Sequence, residues 1–187
     1  KFCERTNRES NTFAVVLIFG GMSVFVTVGT TKFDSLINTV THYSAIKAFQ
    51  DLGYNRLVLQ IGAGKIQKEL DQLADLNNFT IEHYDFKPSI TEDIESASLV
   101  ISHAGAGSIL ETLGAKKPLM VVINEDLMGN HQLELAYQLY RDQHLYYCEC
   151  STFVDTLKSS DFSKLKPFPD RKPKLFVDYL DNLLGFK

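Results

Sequence analysis

Ser98-Leu-Val-Ile-Ser-His103-Ala-Gly-Ala-Gly-Ser108-Ile-Leu-Glu111 is the stretch of sequence that decides the fold. An apolar run ends near His103, a turn with two glycines follows, and helical spacing begins at Ile109. A strand that is apolar on both faces is typical of a parallel sheet covered by helices on both sides. The stretch therefore predicts one βα unit of a Rossmann-like α/β domain.

Strands and helices alternate on both sides of this unit. The longest predicted helix runs from residue 33 to about 52 and is ended by Gly53. In such a sheet, ligands bind at the carboxyl ends of the strands, which share one edge. The predicted strands are 24–28, 56–61, 79–84, 98–102, 118–123 and 145–148, and the shorter helices are 89–97, one that opens at 109, and 130–141.

The composition is that of a globular protein. The 187 residues carry a formal charge of −4, and 44% of them are hydrophobic. These values exclude a disordered or low-complexity chain and suit one domain. The mild acidity argues against a nucleic-acid-binding protein, which usually carries a basic patch. The three cysteines, an odd number without zinc-ligand spacing, indicate a reducing compartment and no metal site.

The two ends of the chain differ from its centre. Residues 1–21 are expected to lie outside the fold, and the apolar run 13–19 is too short to span a bilayer, which takes about 20 residues. The folded domain is expected over 22–150. In the remaining tail, 151–187, Pro173 starts a helix with a continuous apolar stripe. Such a stripe packs on the chain's own sheet, which is the commoner outcome, or docks onto a partner.

The residues around the glycine turn suit a phosphate group. Gly105 and Gly107 let the backbone approach a ligand closely, and the helix that begins there presents free N–H groups and the positive end of its dipole. His103 can give a diphosphate a hydrogen bond or a charge, Ser108 can cap the helix or bind phosphate, and Glu111 can accept from ribose hydroxyls. The alternative is a glycine turn with a capping serine and a solvated glutamate. His103 and Glu111 at the two ends of the turn favour the ligand site.

Other glycine-loop motifs do not fit this sequence. A dinucleotide fingerprint needs a third glycine where Leu110 stands. Gly64-Lys65 is followed by Ile66 instead of the Ser or Thr of a nucleoside-triphosphate loop. The G-x-S-x-G elbow of hydrolases is also absent from the sequence.

Two further turns are predicted at the same edge of the sheet. Gly29-Thr30-Thr31 follows the first strand and offers two hydroxyls beside a helix N-terminus. With the 103–108 turn, it forms two sides of one expected anion site. Asn130-His131-Gln132 opens a later helix with side chains that can bind sugar hydroxyls, although an N-cap Asn followed by surface polar residues explains the spacing as well.

The combination of these runs resembles one family of glycosyltransferases. From Met22 to near its C-terminus, the sequence is similar to the catalytic, nucleotide-sugar-binding subunits of the eukaryotic UDP-N-acetylglucosamine (UDP-GlcNAc) transferases. These GT-B enzymes of glycosyltransferase family 28 carry out the second step of dolichol-linked oligosaccharide assembly. The runs that carry the resemblance are Phe25-Val-Thr-Val-Gly-Thr-Thr31, Leu52-Gly-Tyr-Asn-Arg-Leu57, Gln60-Ile-Gly62, Val100-Ile-Ser-His-Ala-Gly-Ala-Gly-Ser108, Val121-Val-Ile-Asn-Glu125 and Asn130-His-Gln-Leu-Glu-Leu-Ala136.

The resemblance implies the C-terminal, donor-binding half of a GT-B enzyme. Because a complete GT-B enzyme has two Rossmann-like domains, it also implies a membrane-anchored partner chain that supplies the acceptor half. The apolar stripe of the last helix predicts docking onto that partner through residues 174–187. It implies no cofactor and no metal, and it implies action at the cytosolic face of the endoplasmic reticulum membrane. The alternative function is a non-catalytic nucleotide-sugar-binding or scaffold subunit.

The glycine turn also resembles the donor-binding box of nucleotide-sugar transferases at large, which assigns roles to individual residues. Its His meets the diphosphate and a Glu eight residues further on holds the ribose, a separation that His103 and Glu111 share. Gln132 matches the Gln that contacts the sugar, whereas the usual Asn before the closing Ala is Leu135 here. The implied reaction is an inverting transfer whose general base comes from the partner. The residues expected to bind the donor are Gly29, Thr30, Thr31, His103, Ala104, Gly105, Gly107, Ser108, Glu111, Asn130, His131 and Gln132.

Overall fold

A computed structural model describes residues 21–66, 78–124 and 131–186 of the chain. The strands are β1 Met22–Thr27, β2 Tyr54–Gln60, β3 Thr80–Tyr84, β4 Leu99–His103, β5 Leu119–Ile123 and β6 Tyr146–Glu149. All of them pair in parallel, in the order β3-β2-β1-β4-β5-β6. The predicted Rossmann-like α/β class is confirmed.

The described residues also form seven α-helices. They are α1 Asp34–Val40, α2 Tyr43–Asp51, α3 Thr91–Ser96, α4 Ala106–Gly114, α5 His131–Arg141, α6 Phe153–Ser159 and α7 Pro173–Leu183. The prediction of one helix from 33 to about 52 is wrong, because α1 and α2 are separate. The Thr41 hydroxyl donates to the Ile37 carbonyl oxygen (2.7 Å), and the extended residue His42 caps α2 by accepting from the Ser44 N–H. These local side-chain bonds compete with the helix and end it.

Smaller differences occur at the ends of other elements. The helix predicted from residue 89 begins later, since the N-cap of α3 is Ile90. The Ser89 hydroxyl instead accepts from the Thr91 N–H (3.2 Å) in the turn before the helix. Helix α4 begins at Ala106, earlier than the predicted 109, because the first turn follows Gly105 directly.

A hydrophobic layer covers each face of the sheet. Because alternate residues of a strand point to opposite faces, Val24 and Val26 of β1 pack in the layer that contains α1, α2 and α6. Phe25, which lies between them, packs in the layer that contains α3, α4 and α5. These three side chains are at most 1% exposed. Packing on both faces holds the strands in place, and the strands in turn position the loops at the carboxyl edge.

The chain beyond residue 150 has a buried part and an exposed part. Phe153 and Leu157 of α6 are fully buried in the same layer as α1 and α2. Helix α7, in contrast, has no buried residue. Its side chains Leu175, Phe176 and Tyr179 are 64%, 65% and 60% exposed. The first part of the predicted tail therefore shares the core of the domain, and the apolar stripe of α7 is not packed on the sheet.

The N-terminal prediction falls mostly outside the described residues. Of the segment 1–21, only Gly21 is described, and it leads directly into β1. Within the described ranges, no helix is both long enough and apolar enough to cross a membrane.

Candidate functional site

Two of the predicted loops are neighbours at the carboxyl edge of the sheet. Strands β1 and β4 are adjacent, and Thr27 pairs with Ser102. Gly29-Thr30-Thr31 follows β1, and His103 is the last residue of β4. The structure thus brings the first loop and the glycine turn together.

His103 is buried between these loops. The residue is 9% exposed, and its Nδ1 lies 3.3 Å from the Thr27 carbonyl oxygen. Because a carbonyl oxygen only accepts, Nδ1 carries the proton and donates. Nε2 therefore holds a lone pair in the neutral ring and becomes a donor only when the ring is protonated. Burial lowers the pKa of His103 below its ordinary value, although the hydrogen bond to Thr27 partly opposes that effect.

Two glycines make room for the imidazole ring. Gly29 has a φ of +61°, and a Cβ at this position would lie 2.8 Å from Cε1 of His103. A Cβ at Gly105 would collide with Nε2 of the same ring. Ala104, also predicted as a site residue, is buried between His103 and Gly105. A larger residue at either glycine would displace the ring, so these glycines serve the histidine as well as the turn.

The N-terminus of α4 opens beside the ring, because Gly105 is its N-cap residue. The Ile109 N–H bonds back to the Gly105 carbonyl oxygen (3.1 Å), whereas the amides of 106–108 belong to the first turn and point out of the helix. A Cβ placed on Gly107 would meet no neighbouring atom of the described residues within 4 Å. Ser108 lies inside the first turn, so the helix-capping role considered for it is wrong.

The two threonines of the first loop differ in what they contact. The Thr31 hydroxyl donates to the Val28 carbonyl oxygen (2.7 Å), and the Thr31 N–H donates to the same atom (3.2 Å). Thr31 therefore closes the turn. Thr30 is exposed beside it.

Glu111 lies further along α4, at the border with α3. Its Oε1 accepts from the hydroxyl of Thr91 (2.9 Å), the first residue of α3. The residue is half-buried. With a rise of about 1.5 Å per residue, Glu111 is roughly 9 Å along the helix from Gly105. The structure thus holds the carboxylate on the same helix as the glycine turn but away from the imidazole.

The third predicted group lies largely beyond what the structure describes. Asn130 is outside the described residues. His131 and Gln132 begin α5, but their side chains are also outside the description. Their contacts to a sugar stay predictions.

Two buried polar residues beside the site were not predicted to belong to it. Thr27 and Gln60 end β1 and β2, and neither is more than 5% exposed. Their side chains bond to each other and to the backbone of Gly29. The signal in the sequence is a glutamine that ends the apolar run of β2 shortly before Gly62. A polar residue there indicates a specific hydrogen-bond partner.

The arrangement as a whole presents donors to an anion. The first turn of α4 and the His103 ring lie beside the Gly29 loop, and the ring adds a donor at Nε2 when it is protonated. Within 21–66, 78–124 and 131–186, no group of three His, Cys, Asp or Glu side chains is placed to hold a metal ion. The geometry suits a phosphate or diphosphate and can stabilise negative charge that grows on it.

The parallel six-stranded sheet with helices on both faces is the fold of the C-terminal domain of family 28 glycosyltransferases. The chain belongs to the family described as "Glycosyltransferase family 28 C-terminal domain", which matches residues 23–181. The match includes both loops of the site and extends through α6 into α7. The resemblance drawn from the sequence motifs is confirmed.

Individual relatives carry a more specific name, UDP-N-acetylglucosamine transferase subunit ALG13. The human protein is 57% identical over 127 residues, which cover 68% of this chain but 11% of that protein. The protein of Yarrowia lipolytica is 30% identical over 184 residues, which cover 93% of this chain and 90% of that protein. The chain therefore spans about a tenth of the human relative and most of the yeast one.

Solved structures agree with this assignment. An NMR solution structure of ALG13 has a TM-score of 0.63 and 26% identity, and the match covers 86% of this chain and 95% of that one. The crystal structure of Acinetobacter baumannii MurG has a TM-score of 0.55 and 18% identity, covering 88% of this chain and 42% of that one. At this identity, the similarity to MurG shows the fold alone.

Proposed function

We propose that this chain is the donor-binding, catalytic subunit of a two-chain N-acetylglucosaminyltransferase. It would move GlcNAc from UDP-GlcNAc to GlcNAc-diphosphodolichol. The observation that carries the proposal is the buried imidazole of His103 at the N-terminus of α4, beside the loop of Gly29. An imidazole and free helix amides together suit a diphosphate. The name of the relatives, UDP-N-acetylglucosamine transferase subunit, supports both the donor and the need for a second chain.

The proposed reaction is an inverting transfer. A hydroxyl of the acceptor GlcNAc attacks the anomeric carbon of the donor and gives its proton to a general base, while the bond to the diphosphate breaks and UDP leaves. Negative charge grows on the diphosphate oxygens as that bond breaks. The amides of 106–108 and the protonated ring of His103 stabilise this charge. In this proposal neither a metal ion nor a cofactor takes part.

The remaining predicted residues are proposed to hold the rest of the donor. Thr30, Thr31 and Ser108 are proposed to bind the phosphates from the first loop and the first turn of α4. The Glu111 carboxylate is proposed to accept from the ribose hydroxyls. Asn130, His131 and Gln132 are proposed to contact the sugar, which they would do from the start of α5.

A membrane-anchored partner is proposed to supply the general base and the acceptor site. The exposed apolar side chains of α7 support docking through residues 174–187, since an isolated stripe of this kind is typical of an interaction surface. Docking onto such a partner would place the chain at the cytosolic face of the endoplasmic reticulum membrane. The subunit alone would then bind donor but turn it over poorly.

Glu111→Ala tests the proposed donor site. Loss of the ribose contacts should weaken UDP-GlcNAc binding roughly tenfold to a hundredfold, since a hydrogen bond to a charged group contributes about 1.5–3 kcal/mol. Isothermal titration calorimetry measures the binding, and a transfer assay with the partner measures the activity. Asp155→Ala, which removes an exposed carboxylate on α6 at the other face of the sheet, serves as the control.

The same variants separate the proposed enzyme from the alternative. Transfer at the wild-type rate by a complex that contains Glu111→Ala or His103→Ala would favour a non-catalytic nucleotide-sugar-binding subunit. Absence of any UDP-dependent thermal shift in the wild-type chain, together with normal partner binding, would favour a scaffold.

A further inference from the structure

Three hydrogen bonds form a closed ring between the ends of β1 and β2. The Thr27 hydroxyl donates to Oε1 of Gln60. The Gly29 N–H donates to Oγ1 of Thr27 (3.1 Å), and Nε2 of Gln60 donates to the Gly29 carbonyl oxygen (3.2 Å). The ring therefore holds both polar groups of the Gly29 backbone.

The chemistry of the partners fixes the orientation of the Gln60 amide. The Gly29 carbonyl oxygen can only accept, so the amide must face it with Nε2. Oε1 is then left to accept from Thr27. Only a side chain that carries one donor and one acceptor at this spacing completes the ring, and both Thr27 and Gln60 are buried.

The ring is connected to the histidine of the site at two points. The Thr27 carbonyl oxygen accepts from Nδ1 of His103. Gly29 packs against Cε1 of the same ring at a φ of +61°, where an added Cβ would come within 2.8 Å. A change in Gln60 that releases the Gly29 peptide would therefore free both the first loop and one wall of the imidazole pocket.

Burial of an amide at this place needs a reason beyond packing. A buried amide is costly unless its hydrogen bonds are made, and an apolar side chain would suit the end of an apolar strand equally well. The Gln60 backbone already joins the two strands, since its carbonyl oxygen accepts from the Val28 N–H (3.2 Å). The side chain adds the hydrogen bonds that hold the Gly29 peptide in place.

We propose that Gln60 is a positioning residue for the donor site, which sets the backbone of Gly29 and through it the place of His103 and of the bound diphosphate. The proposal rests on the proposed function, because it assumes that a nucleotide sugar binds between these loops. Gln60 itself need not touch the ligand.

Gln60→Glu distinguishes a hydrogen-bonding role of the Gln60 side chain from a packing role. An ionised carboxylate has no proton to donate to the Gly29 carbonyl oxygen, whereas the protonated acid has one donor and one acceptor, like the amide. Burial raises the pKa of a carboxyl at this position, so its protonated form becomes more populated as the pH falls. Relative to wild type at the same pH, the variant should bind UDP-GlcNAc roughly tenfold more weakly at pH 8 and within about threefold at pH 6.

Three further variants complete the calorimetric series. Gln60→Met has a similar length but no amide, and it should stay weakened by the same factor at both pH values. Thr27→Val removes the hydroxyl from the ring and keeps the β-branched shape. It should behave like Gln60→Met, and it takes the place of Gln60→Glu if that variant does not fold. Gln138→Glu makes the same change of charge on the exposed surface of α5 and should leave binding unchanged.

The outcomes distinguish this inference from the proposed function. Wild-type affinity of folded Gln60→Met and Thr27→Val would overturn the positioning role while the donor site stands. A wild-type chain that takes up no UDP-GlcNAc at either pH would overturn the proposed function, and this inference with it.

Discussion

At the scale of single residues, the protonation of His103 decides whether its Nε2 can donate to a ligand. Its Nδ1 is committed to the Thr27 carbonyl oxygen, and burial lowers the pKa of the ring. Above about pH 6.5, the ordinary pKa of histidine, the free ring is therefore neutral, with an acceptor at Nε2. An anion at Nε2 favours the protonated ring and so raises its pKa in the complex. Binding of the proposed diphosphate at Nε2 would therefore be coupled to the uptake of a proton.

This coupling predicts that the affinity for UDP-GlcNAc falls as the pH rises. Between the pKa of the free ring and that of the complex, Kd should increase by up to about tenfold per pH unit. UDP-GlcNAc is the suitable ligand, because its diphosphate does not titrate near neutral pH as that of UDP does. Calorimetry in buffers of different ionisation enthalpy counts the protons, with up to one taken up per ligand.

The control for proton uptake is His103→Gln, which cannot be protonated in this range. It should bind more weakly and take up no proton. Equal proton uptake by wild type and His103→Gln would assign the effect to another group and contradict the role given to His103.

At the scale of elements, the start of α4 depends on a glycine for a reason outside the helix. Gly105 has φ −75° and ψ 124°, which any residue adopts, so the backbone alone would accept alanine. A Cβ would nevertheless collide with Nε2 of His103. Gly105→Ala should displace the ring and weaken UDP-GlcNAc binding by about tenfold or more, with the fold retained. Calorimetry measures the binding, and circular dichroism checks that the fold is retained.

Gly114→Ala is the matched control at the other end of the same helix. No neighbouring atom of the described residues would lie within 4 Å of the new Cβ. Alanine is also the better helix former, by up to about 1 kcal/mol. We expect unchanged binding and equal or greater thermal stability, so a similar loss of binding in both variants would refute the role given to the His103 contact.

Removal of helix α7 should affect partner binding but not the stability of the domain. Deletion of residues 174–187 should release the partner but change the melting temperature of the isolated chain little, because α7 contains no buried residue. Co-purification with candidate membrane partners, followed by thermal melting of the chain alone, measures both. Retention of the partner after the deletion would argue against docking through this segment.

At the scale of the whole molecule, α6 belongs to the core even though it follows the last strand. Leu157 is fully buried and packs in the layer that contains α1 and α2. Leu157→Ala should lower the free energy of unfolding by about 2–5 kcal/mol. The neighbouring variant Lys158→Ala, on the exposed side of α6, should lie within about 0.5 kcal/mol of wild type. Denaturant titration measures both, and equal effects would mean that α6 is not a core element.

Much of this molecule was predictable where neighbours along the chain decide the structure. The apolar run before His103 and the glycines after it predict a strand, a turn and a helix. The break at Thr41 and His42 was missed, because apolar spacing continues across it and the competing side-chain bonds leave no periodic signal. The burial of Phe153 was missed for a related reason, since the mixed polar pattern around it is equally typical of an exposed tail.

The sequence by itself determined the α/β alternation, the glycine turn at 103–108 and the helix that starts there, because each depends on residues a few positions apart. The tertiary structure decided which of these pieces meet. His103 contacts Thr27 across 76 residues, and Gln60 reaches Thr27 across 33. Such contacts follow from the order and register of β2, β1 and β4, and these depend on packing of the whole sheet, which no local pattern contains.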